Sequence, residues 1–287
     1  MSMYSKFDFK LTNSFYNTEL NKYLEFGKKE YDNHKAKVKQ DLKKFIYDNG
    51  KINGSSLKEH WFNIVDADIF ISHSHQDINK VKAFAGWLKH NFNLTCFIDS
   101  CVWGYCDELL KQIDDEKCKN ANSSTYSYEL RNYTTSHVHM MLSIALSEMI
   151  NNSECVIFFN TPESVSLTAD LESLKENKHS TTLSPWIYHE LAMTSLIRPI
   201  QPKRETIILE HSDRRTLFAA EQNTIHISHD VDKYISEMIK LTDEDLKKWK
   251  RTYGVLTHQL DGDNIPFIKG YEDINALDVL YSIKGIV

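Results

Sequence analysis

Asp68-Ile-Phe-Ile-Ser72 is the stretch of sequence that decides the fold class. It is a short run of apolar and β-branched residues that ends in a polar residue, a pattern typical of a buried strand. The residues that follow change to a helical period, with apolar positions at Val81, Phe84, Ala85, Trp87 and Leu88. A strand followed by an amphipathic helix is the repeating unit of α/β proteins, so we expect a parallel sheet.

The alternation of strands and helices continues along the chain. Further strands are predicted at residues 95–99, 155–159, 206–209 and 224–228. Further helices are predicted at residues 107–117, 136–151, 185–197 and 231–251. With right-handed crossovers, this order predicts a flavodoxin-like, doubly wound sheet of about five parallel strands in the order 2-1-3-4-5.

Composition divides the chain into three parts. Residues 1–62 are predicted to be an N-terminal helical extension, with one long helix over residues 20–46 and a short entry helix after a turn rich in glycine and asparagine. Residues 63–251 are the predicted α/β domain, with polar insertions or mobile loops at residues 119–135 and 161–182. Residues 252–287 are expected to form a C-terminal tail that packs on this domain.

Charge and hydropathy exclude several classes of function. A formal net charge of -6 over 287 residues gives no global attraction for nucleic acid, and no apolar run is long enough to span a bilayer. The N-terminus lacks the order of a signal peptide, and the five cysteines form no CxxC pair. We therefore expect a soluble cytoplasmic protein with reduced thiols that binds neither nucleic acid nor membrane.

The histidines raise the question of a metal site. Thirteen are present, including the closely spaced pairs His73/His75 and His137/His139, but no HExxH motif or Cys/His grouping accompanies them. No metal is therefore predicted. No GxGxxG motif or P-loop is present, so neither a Rossmann dehydrogenase nor a P-loop nucleotidase is supported.

Two polar stretches are expected to meet at the edge of the sheet where this fold class binds ligands. Residues 73–77 follow the first predicted strand. The third predicted strand, at residues 155–159, leads to the helix that begins in Ser184-Pro-Trp-Ile-Tyr-His-Glu190. This position favours a functional role for Glu190 over that of a solvated helix glutamate. The loop at residues 99–105, with Trp103, could close over the crevice, although its aromatic residues could equally pack locally.

Three motifs in this order resemble Toll/interleukin-1 receptor (TIR) domains. Residues 68–73, with Asp77 soon after, resemble the opening strand of the family, and Phe97-Ile-Asp99 is similar to the second strand and the start of its BB loop. Trp186 and Glu190 match the Trp-x-x-x-Glu pattern of the third helix. The resemblance covers about residues 67–251. The loop after the second strand lacks the usual proline of receptor domains, which favours the bacterial enzyme type over a signalling adaptor.

The resemblance implies an activity, because many TIR domains cleave NAD+ between nicotinamide and ribose. It implies that Glu190 is catalytic and that NAD+ is a substrate, with no cofactor required. It also implies the following substrate-binding residues: His73, Ser74, His75, Asp77, Asp99, Trp103 and Trp186. Trp186 either stacks on the nicotinamide ring or packs in the core.

The implied protein is an NAD+ glycohydrolase or ADP-ribosyl cyclase similar to the TIR component of Thoeris-like phage defence. It would self-associate, with the helix over residues 20–46 as one candidate for the contact, and its product would act on a separate effector protein. Two other functions fit the same residues. One is a non-catalytic TIR module that assembles through residues 99–105, and the other is an enzyme similar to nucleoside deoxyribosyltransferases, which also place a carboxylate at a ribosyl carbon.

Overall fold

The computed structural model describes residues 2–35, 42–62, 64–121, 124–169, 178–204, 227–261 and 274–286. Its strands are β1 (Ser5–Phe9), β2 (Ile69–Ser72), β3 (Cys96–Ile98), β4 (Cys155–Phe159), β5 (Ser166–Ala169), β6 (Lys178–Thr182), β7 (His229–Asp230) and β8 (Ile239–Leu241). Its α-helices are α1 (Asn13–Phe15), α2 (Leu24–Lys35), α3 (Gly54–Trp61), α4 (Ile78–Phe92), α5 (Ser100–Ile113), α6 (Tyr128–Asn152), α7 (Pro185–Leu196), α8 (Asp232–Ser236), α9 (Asp243–Asp261) and α10 (Ala276–Lys284).

Five strands form one parallel sheet in the order β3-β2-β4-β1-β8. β2 lies between β3 and β4, so that Ile69 is opposite Cys96 on one side and Cys155 on the other. The prediction of an α/β fold with a five-stranded parallel sheet is therefore confirmed, together with the relative order of its first three predicted strands.

Helices cover both faces of this sheet. Ile69 and Ile71 lie in one hydrophobic core with residues of α4, α9 and α10, whereas Phe70 lies in a second core with residues of α3, α5 and α6. A strand that is buried on both faces is apolar at successive positions rather than at alternate ones. This is why β2 and β4 are recognisable from their sequences.

The N-terminal segment contributes an interior strand of the sheet, which corrects the prediction that residues 1–62 form only a helical extension. β1 lies between β4 and β8 and is parallel to both. Its Asp8 is buried, accepts a hydrogen bond from Asn160 (2.7 Å) and forms an ion pair with Lys240. These partners are distant in sequence, so a charged residue inside a short strand hides it from a local pattern search.

The second half of the sheet also differs from the prediction. The predicted strand at residues 206–209 lies outside the described residues, as do residues 224–226, and the remaining two residues of the predicted strand 224–228 are not in a strand. The predicted helix at residues 231–251 is wrong as a single element, because β8 divides it into α8 and α9. Leu241 of β8 is buried while Lys240 reaches Asp8, so this strand is apolar only at alternate positions.

Both predicted polar insertions contain regular structure. Within residues 119–135, α6 begins at Tyr128, and the Ser127 side chain caps it by accepting a bond from the Leu130 amide. Within residues 161–182, β5 and β6 form an antiparallel pair that β7 extends. The serine and threonine residues of these segments are caps and strand residues rather than marks of a loop.

Residues 99–105 are also not a loop. The Asp99 side chain accepts a 2.6 Å hydrogen bond from the Ser100 amide, and α5 begins at Ser100, seven residues before the predicted helix start. This carboxylate occupies the N-cap position, where it satisfies an otherwise free amide of the first turn. The loop that was expected to close over the crevice is therefore helical from its second residue.

The predicted helix at residues 20–46 is shorter in the structure. α2 ends at Lys35, residues 36–41 lie outside the described residues, and a 3-10 turn follows at Leu42–Phe45. α2 crosses α4 at a very short separation, since a Cβ atom on Gly27 would lie 1.8 Å from the carbonyl oxygen of Lys82. Only glycine permits that approach.

The described C-terminal residues include the end of α9 and the helix α10. α9 continues to Asp261, and Trp249 within it donates a 2.7 Å hydrogen bond to the carbonyl oxygen of Ala276 at the start of α10. Arg204 makes paired hydrogen bonds of 2.6–2.7 Å to each of two buried carboxylates, Glu154 before β4 and Asp278 in α10. No helix in the described ranges has the length and apolar character needed to cross a bilayer.

Candidate functional site

Helix α7 begins as the sequence predicts and carries Glu190 toward the sheet. The Ser184 side chain accepts a 3.2 Å hydrogen bond from the Ile187 amide, and Pro185 occupies the first turn. Nε2 of His189 lies 3.0 Å from the carbonyl oxygen of Ser143, which fixes this helix against α6. Burial lowers the pKa of His189 and so favours its neutral form.

Glu190 is buried at the carboxyl end of the sheet, with 1% of its surface exposed. Its Oε2 atom accepts a 2.6 Å hydrogen bond from the hydroxyl of Ser72, the last residue of β2. A buried glutamate is uncommon, and this one is not a solvated helix residue. Ser72 is not among the predicted site residues, although its place at the end of the first predicted strand is a usable signal.

His73 and Asp99 lie beside this glutamate. They follow the adjacent parallel strands β2 and β3, and Nδ1 of His73 is 2.5 Å from Oδ1 of Asp99. Both side chains are fully buried. Because the carboxyl ends of neighbouring parallel strands share one edge, residues just after them meet in space. The structure thus brings together three of the predicted site residues: His73, Asp99 and Glu190.

Several polar atoms of this cluster are buried without a partner. Nε2 of His73 forms no hydrogen bond with any residue that the structure describes, and Oε1 of Glu190 and Oδ2 of Asp99 have none except the one that a proton shared between these two carboxyl groups would supply. Burying a polar atom without a hydrogen bond costs about 1–3 kcal/mol. Such atoms are rare in folded proteins, and a group of them at a strand end is typical of a site that binds a polar ligand.

The electrostatics of Glu190 favour its neutral form. Burial raises the pKa of the Glu190 carboxyl well above its usual range, and repulsion from Asp99 raises it further. The hydrogen bond from Ser72 lowers this pKa, whereas a hydrogen bond with the Asp99 carboxylate, which only the protonated Glu190 can donate, raises it. A positive charge placed next to the carboxyl would reverse this preference, because an opposite charge favours ionisation. The ionisation state of Glu190 therefore depends on the charge of the group that lies beside it.

The remaining residues of the loop after β2 have other positions. Asp77 is buried, but its carboxylate is already engaged by the hydroxyl of Thr161 (2.5 Å) and by Lys80 (2.7 Å). Ser74 caps the short turn that contains His75, which is exposed. The contacts of Asp77 and Ser74 hold the loop in place, and the structure does not bring Ser74, His75 or Asp77 into contact with Glu190.

Of the two predicted tryptophans, the structure describes only the side chain of Trp186. Trp186 is half-buried against the core that includes α6, and its ring meets that of His139 edge-on with centroids 5.5 Å apart. The side chain of Trp103 lies outside the described residues. Packing in the core, one of the two readings of Trp186, agrees with these contacts.

One group of residues has the spacing of metal ligands in the described parts of the chain. His179, Asp230 and Asp232 offer three ligand atoms that all lie within 4.8 Å of one another. Each aspartate also accepts a 2.9 Å hydrogen bond from a backbone amide, and all three side chains are at least 40% exposed. These bonds explain the grouping as local support of β6 and α8.

Comparisons with protein-family models, with curated proteins and with solved structures find no match to this chain. The interpretation of the site depends on its geometry and on the motifs described above.

Proposed function

We propose that this protein cleaves NAD+ at the bond between nicotinamide and ribose, as an NAD+ glycohydrolase or ADP-ribosyl cyclase of the TIR type. The observation that carries the proposal is Glu190, which is buried at the carboxyl end of the sheet beside Asp99 and whose Oε1 atom accepts no hydrogen bond from an amide or hydroxyl of the described residues. The order of the three TIR-like motifs supports the choice of NAD+ among cationic ligands.

The free atoms of the cluster match the chemistry of such a substrate. A ribose diol offers two hydroxyl donors, and Oε1 of Glu190 and Oδ2 of Asp99 are two acceptors that lack them in the described structure. The nicotinamide ring of NAD+ carries a positive charge, which would lower the raised pKa of Glu190. Binding is therefore expected to release a proton from this carboxyl and to favour NAD+ over the uncharged ring of NADH.

The reaction requires little acid catalysis. When the bond breaks, its electron pair leaves with the ring nitrogen, so nicotinamide departs as a neutral molecule and positive charge develops on the ribosyl carbon and ring oxygen. An ionised Glu190 would stabilise that charge in a site shielded from bulk solvent. Water then forms the new bond to the carbon and loses a proton to the carboxylate or to solvent. Attack by an adenine nitrogen instead would give a cyclic product.

Substrate access requires movement around the site. Glu190 has only 1% of its surface exposed, so the groups that cover it must separate before a dinucleotide can reach it. An activity that appears only after assembly or another trigger is consistent with this burial. We further propose that the enzyme acts in the cytoplasm and that its product serves as a signal to a separate effector in antiphage defence, as in the family it resembles.

The test is nicotinamide release from NAD+ by the purified full-length chain. Release is measured by chromatography at several protein concentrations. Glu190→Gln keeps the size of the side chain and its acceptor for Ser72 but cannot become negative, so we expect release to fall at least about 100-fold. Glu237→Gln is the matched control, because Glu237 lies at the surface with Lys6 and Ser195. Equal release by wild type and Glu190→Gln would remove the catalytic role.

The same preparation separates the two other functions. Self-assembly without nicotinamide release under any condition would favour the interaction module. Exchange of a free nucleobase into a deoxynucleoside, with no cleavage of NAD+, would favour an enzyme similar to the deoxyribosyltransferases. Mass spectrometry of the NAD+ products would distinguish ADP-ribose from cyclic or conjugated forms.

A further inference from the structure

Helix α6 exposes an apolar stripe along one side. The stripe consists of Leu130, Tyr133, His137, Met140 and Ile144, which are separated alternately by three and four residues. All five side chains are exposed, with Tyr133 at 66% and Met140 at 61%. The face of α6 on the other side is buried in the core. Alternating steps of three and four give the 3.5-residue period of a helix that packs against another helix.

The stripe also lies in a segment without charged residues. Residues 132–147 contain no Asp, Glu, Lys or Arg, whereas the 26% charged fraction of the chain would place about four in a surface segment of this length. The positions beside the stripe include Thr134, Ser136 and Ser143, which can be buried without removing an ion from water. The charge-free segment therefore fits a partner surface that is itself apolar and neutral.

We propose that a second copy of this chain docks on the stripe, with the two α6 helices antiparallel about a two-fold axis at His137. A two-fold contact requires a surface that is complementary to itself. The stripe meets this requirement because its ends, Leu130 and Ile144, are both branched aliphatic residues, and its inner positions, Tyr133 and Met140, are both long. Each end would meet the opposite end of the second copy, and Tyr133 would meet the second copy's Met140.

The size of the stripe is compatible with a stable contact. Its exposed side chains offer on the order of 500 Å² per copy, or about 1,000 Å² in total, which is the lower limit for a specific interface before flanking residues are included. Helix α2 is part of the helix predicted at residues 20–46, which is a candidate for self-association. It packs closely on α4 of its own chain through Gly27. The α6 stripe is thus a different surface, and its pairing does not depend on NAD+ cleavage.

The test is the mass of the full-length chain in solution, measured by light scattering during gel filtration at tens of micromolar. Wild type is expected at twice the 33.5 kDa chain mass. Tyr133→Glu places a carboxylate in the apolar contact and should give 33.5 kDa. Tyr128→Glu is the matched control, since Tyr128 is exposed on the same helix but lies about 140° around the helix axis from Tyr133, outside the stripe, and it should keep the double mass.

A charge pair tests the antiparallel alignment. Tyr133→Glu with Met140→Lys in one chain should restore the double mass, because each Glu would face a Lys of the second copy at two symmetric places. The two residues are seven apart on one helix, about 10 Å, and cannot pair within a copy. Far-ultraviolet circular dichroism checks that each variant is folded, and Met140→Lys alone repeats the test. A wild-type monomer, a Tyr133→Glu chain that keeps the wild-type mass, or a failure of the charge pair to restore it would overturn the proposal.

Discussion

Replacing Glu190 by glutamine should make the protein more stable as well as inactive, and the gain in stability should grow with pH. In the unfolded chain a glutamate ionises with a pKa of about 4.3. In the folded chain, burial and repulsion from Asp99 raise the pKa of Glu190 well above that value. Above the unfolded pKa, the unfolded state loses its proton while the folded state retains it. Wild type therefore loses about 1.4 kcal/mol of folding free energy per pH unit until the folded carboxyl also ionises.

Glutamine does not titrate, so the difference between the two proteins isolates this carboxyl. Urea unfolding of wild type and Glu190→Gln, at half-unit steps from pH 5 to 8, should give a difference in unfolding free energy that rises toward high pH. Glu237→Gln is the control, because the pKa of Glu237 is lowered by its hydrogen bonds to Ser195 and Lys6. The Glu237 carboxylate is ionised in both the folded and the unfolded state over this pH range. The difference in unfolding free energy between wild type and Glu237→Gln should therefore not change with pH. A constant difference for Glu190→Gln would refute the account of the site as a desolvated carboxyl.

Three further predictions concern packing and the site. Gly27→Ala brings a Cβ atom to 1.8 Å from the Lys82 carbonyl oxygen, so it should destabilise the fold by about 2 kcal/mol or more. Gly254→Ala lies in a helix with open space around the new Cβ atom, so it should stabilise the fold by about 0.5–1 kcal/mol. Urea unfolding measures both changes. Arg204→Ala leaves two buried carboxylates unpaired and should cost about 3–5 kcal/mol in the same assay, and a loss under about 1 kcal/mol would contradict the ion-pair account. Ser72→Ala removes the hydrogen bond that lowers the pKa of Glu190. Because the active carboxylate would then form only at higher pH, the midpoint of the rise of nicotinamide release with pH should move upward. An unchanged pH profile would show that this bond does not tune the carboxyl.

The central strands could be predicted from the sequence because burial on both faces leaves a local signature. β2 and β4 are continuous apolar runs, and no distant residue is needed to recognise them. β1 lacks this signature. Its Asp8 is tolerated in the sheet because Asn160 donates a hydrogen bond to the carboxylate and Lys240 neutralises its charge. Neither partner can be identified from the sequence around the strand.

The polar segments differ from their prediction for a related reason. Composition rich in serine, threonine and asparagine predicts loops at residues 119–135 and 161–182, where the described residues include helix and strand. The same residue types cap helices and form small strands, as Ser127 and β6 do here. Composition alone does not distinguish these uses, because the difference depends on whether a neighbouring element offers hydrogen-bond partners.

The candidate site was partly predictable. Glu190 could be located from the cap at Ser184 and the length of the helix, and the meeting of His73 with Asp99 follows from adjacent parallel strands. The hydrogen bond from Ser72 to Glu190 joins residues 118 positions apart and depends on how α7 is rotated on the sheet, which packing determines. Sequence patterns predict which residues approach the strand ends, but not which atoms touch.

The position of β1 has a consequence for how this chain reaches its folded state. Asp8 is synthesised first, but its partners Asn160 and Lys240 follow 152 and 232 residues later. β1 therefore cannot pair with β4 before Asn160 is made, the edge strand β8 can join only after Lys240, and such distant pairing slows folding. A fragment that begins after this strand, even one that contains every candidate site residue, would leave the facing edges of β4 and β8 unpaired and prone to aggregation.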